Sequence, residues 1–294
     1  MKRPGKLINR LLSHWGLRLE KIAATRQQQS FPPNDARQPS FQQSSFQQKT
    51  YHKLELPKKD AFEAQEKILS ASGTKVETIF DIGANGGHIT GRYRQAFPHA
   101  TIYSFEPFSK PFRLLTRQAE KWGGVVPVNV AIAGKKGKRD LFLNQHHVTN
   151  SLLPTVPGVE QYVDRAVIEN VDKIKVPVTT IDAFCAEHHL PGIQVLKMDI
   201  QGSELEALKG AKKMLAQQAF SLVYTEIWFV KVYQGQPLFH ELYRFLDKYG
   251  YALYDFYNVV YSGEDQIKWA DAIFISKRVA AGLLASGSQE PLCE

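Results

Sequence analysis

The chain has 294 residues, a formal charge of +8 at pH 7, 43% hydrophobic residues and 2 cysteines. That length allows one large α/β domain with an extension, while Cys185 and Cys293 form no disulfide framework, no Cys/His cluster has zinc spacing, and no apolar run approaches the roughly 18 residues that span a bilayer. Residues 1–60 hold 12 Lys+Arg against 4 Asp+Glu, so the whole excess of +8 lies there, and the neutral remainder offers no net field to a polyanion such as nucleic acid.

The N-terminus is basic, but Asn9, Arg10 and His14 break the apolar stretch after it and no small-residue cleavage site follows. A secretory signal is therefore not expected, and a reducing cytosol is the expected compartment. Residues 6–24 carry Ile8, Leu11, Leu12, Trp15, Leu19 and Ile22 at helical spacing, with Arg10, Arg18 and Lys21 between them. This predicts a short basic amphipathic helix, suited to an anionic membrane face or to packing on protein. Residues 27–50 contain eight Gln and read as linker. The expected organisation is an extension over 1–60, a catalytic domain over 61–280 and a flexible tail over 281–294.

A helix is predicted over 61–72. The run Thr78-Ile79-Phe80-Asp81-Ile82 then reads as a strand, and Gly83-Ala84-Asn85-Gly86-Gly87 reads as a tight turn into a helix at 89–97. Strand, Gly-rich turn and helix N-terminus is where doubly wound α/β folds seat a nucleotide-like ligand. The loop is not the Gly-x-Gly-x-x-Gly of dinucleotide binders. Asp81 would repel a pyrophosphate and suits a cationic or hydroxyl-bearing ligand; S-adenosylmethionine, with its ammonium and sulfonium, fits.

Thr101–Phe105 is the second predicted strand, and Glu106 falls 19 positions after Gly87. That is where such folds present a carboxylate to ribose hydroxyls. Pro107 stops the strand and Phe108 is placed to lie against an adenine face. Further along, a helix is predicted at 108–122 and strands at 125–131 and 139–143. Residues 144–175 lack clean periodicity and read as an insertion or lid containing some helix, in which His146, His147, Asn150 and Ser151 are polar candidates. Strands at 195–199 and 221–226, helices at 203–215 and 236–249, and a closing strand pair at 251–257 and 271–276 complete the pattern. The alternation predicts a doubly wound, mainly parallel sheet with an antiparallel C-terminal pair. Asp81, Glu106, Asp199 and Glu226 all close strands on one edge, where acids are poor for strand propensity and ligands bind. Glu204 opens a helix, where it also complements the helix dipole.

From about residue 76 to 276 the chain resembles the FkbM-type S-adenosylmethionine-dependent methyltransferases. The matching segments are Asp81–Gly87, Phe105-Glu106-Pro107, Asn129-Val130-Ala131-Ile132, Thr179–Phe184, Leu196–Glu204 and Leu208-Lys209-Gly210-Ala211. The Lys-x-Asp-x-x-Gly-x-Glu segment is the most specific. The family usually has Glu at position 201, where this chain has Gln201. The resemblance implies a class I methyltransferase fold and O-methylation of a sugar or secondary-metabolite hydroxyl. It adds Asn85, Pro107 and Ala131 to Asp81, Gly83, Gly87, Glu106 and Phe108 as the expected cofactor contacts. Asp199 is the first candidate for a base, with Glu226 and Glu204 beside it; metal catalysis is not favoured. Two alternatives remain at this point. One is a non-catalytic domain of the same fold held at a membrane, and the other is an NAD(P)-dependent oxidoreductase.

Overall fold

The computed structural model describes residues 59–263 and 265–287. The expected basic helix over 6–24 and linker over 27–50 lie outside the described residues.

Helix α1 (Ala61–Ala71) starts at Asp60, whose carboxylate accepts hydrogen bonds from the N–H groups of Phe62 and Glu63. The β-prone runs that follow become β1 (Thr78–Ile82) and β2 (Thr101–Phe105), with α2 (His88–Ala96) between them. Then come α3 (Ser109–Trp122), β3 (Val125–Val128), β4 (Ala131–Ile132) and β5 (Gly137–Asn144). An irregular stretch with two 3-10 turns leads to α4 (Arg165–Ile168), β6 (Asn170–Thr179) and α5 (Ile181–Glu187). The rest is β7 (Ile193–Met198), α6 (Glu204–Lys209), α7 (Lys212–Ala216), β8 (Phe220–Trp228), α8 (Phe239–Lys248), β9 (Tyr251–Tyr261), β10 (Ile267–Ser276) and α9 (Lys277–Ala285).

The main sheet has the order β3-β2-β1-β7-β8-β10-β9. Its first five strands are parallel, and β10 runs antiparallel between β8 and β9. Buried side chains cover both faces, as parallel sheets require. Phe80, Leu196, Met198 and Val223 pack under α5 to α8. Ile79, Val195, Leu222 and Ile273 pack on the other face under α1, α2 and α9. A small second sheet, β4-β6-β5, stands beside the main one.

Four expectations need correction. Residues 144–175 hold the expected helix, α4, but also the start of an unexpected strand, since β6 begins at Asn170. Its first half is exposed, and Lys173 and Lys175 pair with Asp140 across the sheet, so no apolar alternation announces it. Helix α5 was not foreseen either. The single helix over 203–215 breaks at Gly210, where a Cβ would lie 2.4 Å from the carbonyl oxygen of Ala133. Finally, the tail boundary at 281 falls inside α9, which Ser276 caps and which buries Val279 and Leu283.

Candidate active site

The carboxyl ends of β1, β2, β7 and β8 bring the singled-out acids to one edge, but with different orientations. Strand alternation sends Asp81 to the face opposite Phe80 and Ile82. There it is fully buried, ion-paired with Lys197 at 2.9 Å and accepting from the Thr90 hydroxyl at 2.7 Å. Asp81, expected as a ligand contact, is thus placed inside the fold and not in the cleft lining. Lys197 also donates to the carbonyls of Ile82 and Gly83, at 3.3 and 3.1 Å. Burial opposes its charge, but Asp81 and Asp199 outweigh that and hold its pKa above the ordinary lysine value. The pair thus pins the Gly-rich loop to β7. Gly83 is required there: its φ is +78°, and a Cβ would lie 1.9 Å from the carbonyl oxygen of Asp199.

Asn85 turns the loop at φ +49°. Its N–H donates to Glu106 at 2.9 Å, and its side-chain oxygen accepts from Gly86 N–H at 2.8 Å. Its Nδ2 therefore faces His147 Nδ1, 3.2 Å away, as the donor. Burial, with Lys110 and His146 nearby, lowers the His147 pKa and favours the neutral ring that this contact needs. Glu106 also accepts from Phe108 N–H at 2.7 Å. Burial raises its pKa to about 7 against the pull of these N–H groups.

These residues wall a cleft with about 570 Å³ of free space, open to solvent. Gly83, Asn85, Glu106, Pro107 and Ala131 line it, as does Asp199. Gly87 and Phe108 do not. Gly87 starts α2 at φ +90° and packs near Leu115, while Phe108 packs on the cluster around Ala131 and Leu141. Both were expected as cofactor contacts; the structure places Gly87 in the loop and Phe108 against the wall cluster. The insertion roofs the cleft with His147, Asn150 and Ser151; His146 is not part of that lining. Ser151 Oγ donates to the carbonyl of Gln201 at 2.7 Å, tying the roof to the loop after β7.

The residues present fit S-adenosylmethionine. Asn150 Nδ2 is buried on the wall without a hydrogen-bond partner, a donor waiting for an acceptor. A carboxylate has lone pairs beyond the two that Glu106 already uses, enough for a ribose diol. Val130, Ile132 and Leu141 supply apolar wall for a base. Glu106→Ala removes charge-assisted bonds worth about 1.5–3 kcal/mol each. Calorimetry is expected to show S-adenosylhomocysteine binding weakened tenfold or more.

Asp199 lies at the end of β7, on the floor of the cleft. Gln201, at φ +54°, donates one N–H of its amide to Asp199 at 2.9 Å and the other to Glu226 at 3.1 Å. Its oxygen accepts from the Tyr233 hydroxyl at 2.7 Å, which fixes the amide's orientation. Burial, then Asp199, Glu204 and Asp271, push the Glu226 pKa well above the carboxylate range. Asp199 and Glu226 are thus brought together; Glu204 is not. One Glu204 oxygen accepts from Ile200 N–H and Gly202 N–H at 3.0 and 3.2 Å, and the other is buried without a partner. Glu204 clamps the loop, and burial raises its pKa to about 7. Ser203 occupies the helix N-cap but makes no capping bond. Among the described residues, no group of three His, Cys, Asp or Glu is placed to hold a metal ion.

Glu204 yields a pH prediction. Its folded pKa lies above the unfolded one, so the folded state binds the extra proton and stability falls as pH rises from about 4.5 to about 7. Glu204→Gln keeps an acceptor for the two N–H groups and removes the charge. Urea titrations are expected to show it matching wild type at pH 4.5 and exceeding it at pH 8, by on the order of 1–3 kcal/mol. A variant less stable than wild type at pH 8 contradicts this reading.

Lys197 and Tyr233 were not read from sequence as parts of the site, and Gln201 was read only as a departure from the family's usual Glu. Lys197 left a signal: one charge inside the apolar strand Val195-Leu196-Lys197-Met198.

Residues 81–253 match the model of the methyltransferase FkbM domain. A 2-O-methyltransferase, NoeI, of Sinorhizobium fredii is 27% identical over 168 residues, covering 54% of this chain and 66% of that relative. Solved structures that the chain matches include a precorrin-6y C5,15-methyltransferase of Geobacter metallireducens, at 10% identity and TM-score 0.37 over 75% of this chain and 93% of that one. Another is the magnesium protoporphyrin IX methyltransferase of Synechocystis, at 10% identity and TM-score 0.40 over 74% and 78%. Neither the oxidoreductase nor the non-catalytic reading gains support from these matches. The chain belongs to the FkbM methyltransferase family, and its cofactor is S-adenosylmethionine.

Proposed function

We propose that the protein O-methylates a hydroxyl of a sugar or related small metabolite, with Asp199 as the base. The observation that carries this is the position of Asp199, on the cleft floor and held by Gln201. The relative NoeI, a 2-O-methyltransferase, supports a hydroxyl acceptor. Gln201 does not weaken the reading, because its amide holds the two carboxylates in place.

The bound cofactor supplies an activated methyl on sulfonium. The chain's own part is alignment, exclusion of water and handling of one proton. Gly83, Glu106 and Asn150 hold the donor, and the roof around His147 and Ser151 shields it. Asp199 would accept the hydroxyl proton as the acceptor oxygen takes the methyl, which the bound sulfonium would give up as a neutral thioether. Incubation with methyl-tritiated S-adenosylmethionine and glycan-rich extracts tests the reading. Label in small hydroxyl-bearing products supports it; label only in protein or nucleic acid contradicts it.

The extension and the compartment belong to the same proposal: a cytosolic enzyme that touches an anionic membrane through residues 6–24. A chain beginning at residue 59 is expected to bind cofactor as the full chain does. The full chain is expected to bind anionic vesicles more strongly, with the difference fading as salt is raised. Equal vesicle binding by both chains removes the membrane role.

A further inference from the structure

A second cavity adjoins the cofactor cleft, on the sheet face under α1 and α2. Its space is about 130 Å³, close to the roughly 150 Å³ cavity that holds one benzene ring, so it has room for a single ring. The two spaces share one wall residue, Asp199. A methyl donor in the first and an acceptor in the second would thus both border the Asp199 carboxylate.

The walls say what the second cavity accepts. Glu226 and Asp271 line it with Asp199, Asn258 stands beside Asp271, and Phe62 and Ile89 supply apolar surface. Glu226 is only 4% exposed, and Gln201 gives it one donor, on Oε2. Among the described residues no donor meets its other oxygen. Asp271 accepts from Tyr224 Oη and Asn258 Nδ2, both at 2.7 Å. The cations nearby are committed elsewhere. Lys197 is spent on Asp81 and the two loop carbonyls, while Arg92 pairs with Asp60 at 2.9 Å and lies over the Phe62 ring. The cavity is thus rich in hydrogen-bond acceptors, and its carboxylates oppose an anion. An ammonium would pair with Asp199 and occupy the base. A hydroxyl suits both neighbours, because it can donate to a carboxylate and can also accept from a carboxyl proton, and burial with the nearby acids raises the Glu226 pKa.

We propose that this second cavity is the acceptor pocket and that it takes a neutral, hydroxyl-rich ring: a pyranoside with free neighbouring hydroxyls. The proposal rests on the hydroxyl-methylation reading. One hydroxyl gives its proton to Asp199 as its oxygen takes the methyl, and a neighbouring hydroxyl is held by Glu226. The products are a methyl ether, the thioether S-adenosylhomocysteine and a proton passed on to solvent.

The test uses the full chain, tritiated S-adenosylmethionine and a panel of probes. The panel holds methyl glycosides of neutral hexoses and deoxyhexoses, the matching uronic acids and hexose phosphates, and glucosamine. Asp271→Asn alters the cavity wall away from the cofactor cleft, and Ile89→Trp fills the cavity if the first variant fails to fold. We expect transfer to neutral glycosides, at least tenfold lower kcat/KM for the charged sugars, and KM for the glycoside raised tenfold or more in either variant. S-adenosylhomocysteine affinity should stay within about twofold of wild type. Neutral-glycoside transfer with wild-type KM in both variants places the acceptor elsewhere and leaves the methylation reading standing. Preference for a charged sugar, or for a hydroxyl acceptor unrelated to the panel, overturns the pocket's assigned class alone. Transfer to no hydroxyl at all overturns both.

Discussion

Asp199→Asn is expected to lower methyl transfer by roughly 10²–10⁴, the usual contribution of a positioned base. The change keeps the shape of the side chain, and an amide oxygen can still accept from Gln201, whose N–H lies 2.9 Å away. Folding and cofactor binding should therefore survive. Calorimetry with S-adenosylhomocysteine, run beside the transfer assay, separates the two effects. Affinity within a few-fold of wild type alongside a large loss of turnover identifies Asp199 as the base. If turnover stays within tenfold of wild type, the proton goes elsewhere, and Glu226→Gln becomes the next variant to assay.

Lys197→Met is expected to cost about 3–5 kcal/mol of stability, because it leaves a buried carboxylate without its countercharge. Asp81 is fully buried, and Thr90 would remain as its donor at 2.7 Å. The carbonyls of Ile82 and Gly83 would lose the ammonium that holds them toward β7, so cofactor affinity should fall as well. Urea denaturation measures the first effect. Adding Asp81→Asn to Lys197→Met should restore at least half of the lost stability, since no unpaired charge then remains inside. A single variant within about 1 kcal/mol of wild type would show that the ion pair is not what secures the loop.

Much of the architecture was legible because each signal was local. The Gly-rich turn after β1, the strand-end position of Glu106 and the alternating helices and strands all follow from neighbours in sequence. So does the placing of Gly83 on the cleft, whereas Asn85, Pro107 and Ala131 were expected there through the resemblance to the family. What was not legible depends on contacts between distant segments. Asp81 looked like a ligand contact until β1 paired with β7, in the register that sets Asp81 beside Lys197. Glu204 looked like a helix-dipole acid or a catalytic one; its role as a clamp depends on how the loop from Ile200 to Gly202 folds back over it. Gln201 looked like a missing carboxylate, and only the approach of β8 and Tyr233 shows its amide bridging two acids. Strand β6 was hidden by its solvent-facing lysines, and α9 by a terminus of small residues that nonetheless buries Val279 and Leu283.

The central claim is transfer of a methyl group to a hydroxyl oxygen. The most direct measurement uses S-adenosylmethionine carrying a carbon-13 methyl, the purified full chain and a neutral methyl glycoside, with the product read by carbon–proton correlation NMR. The account predicts that the labelled methyl correlates through oxygen to a ring carbon, as a methyl ether, and that Asp199→Asn removes the signal. A labelled methyl found on nitrogen, sulfur or carbon, or one that forms equally well with Asp199→Asn, contradicts it.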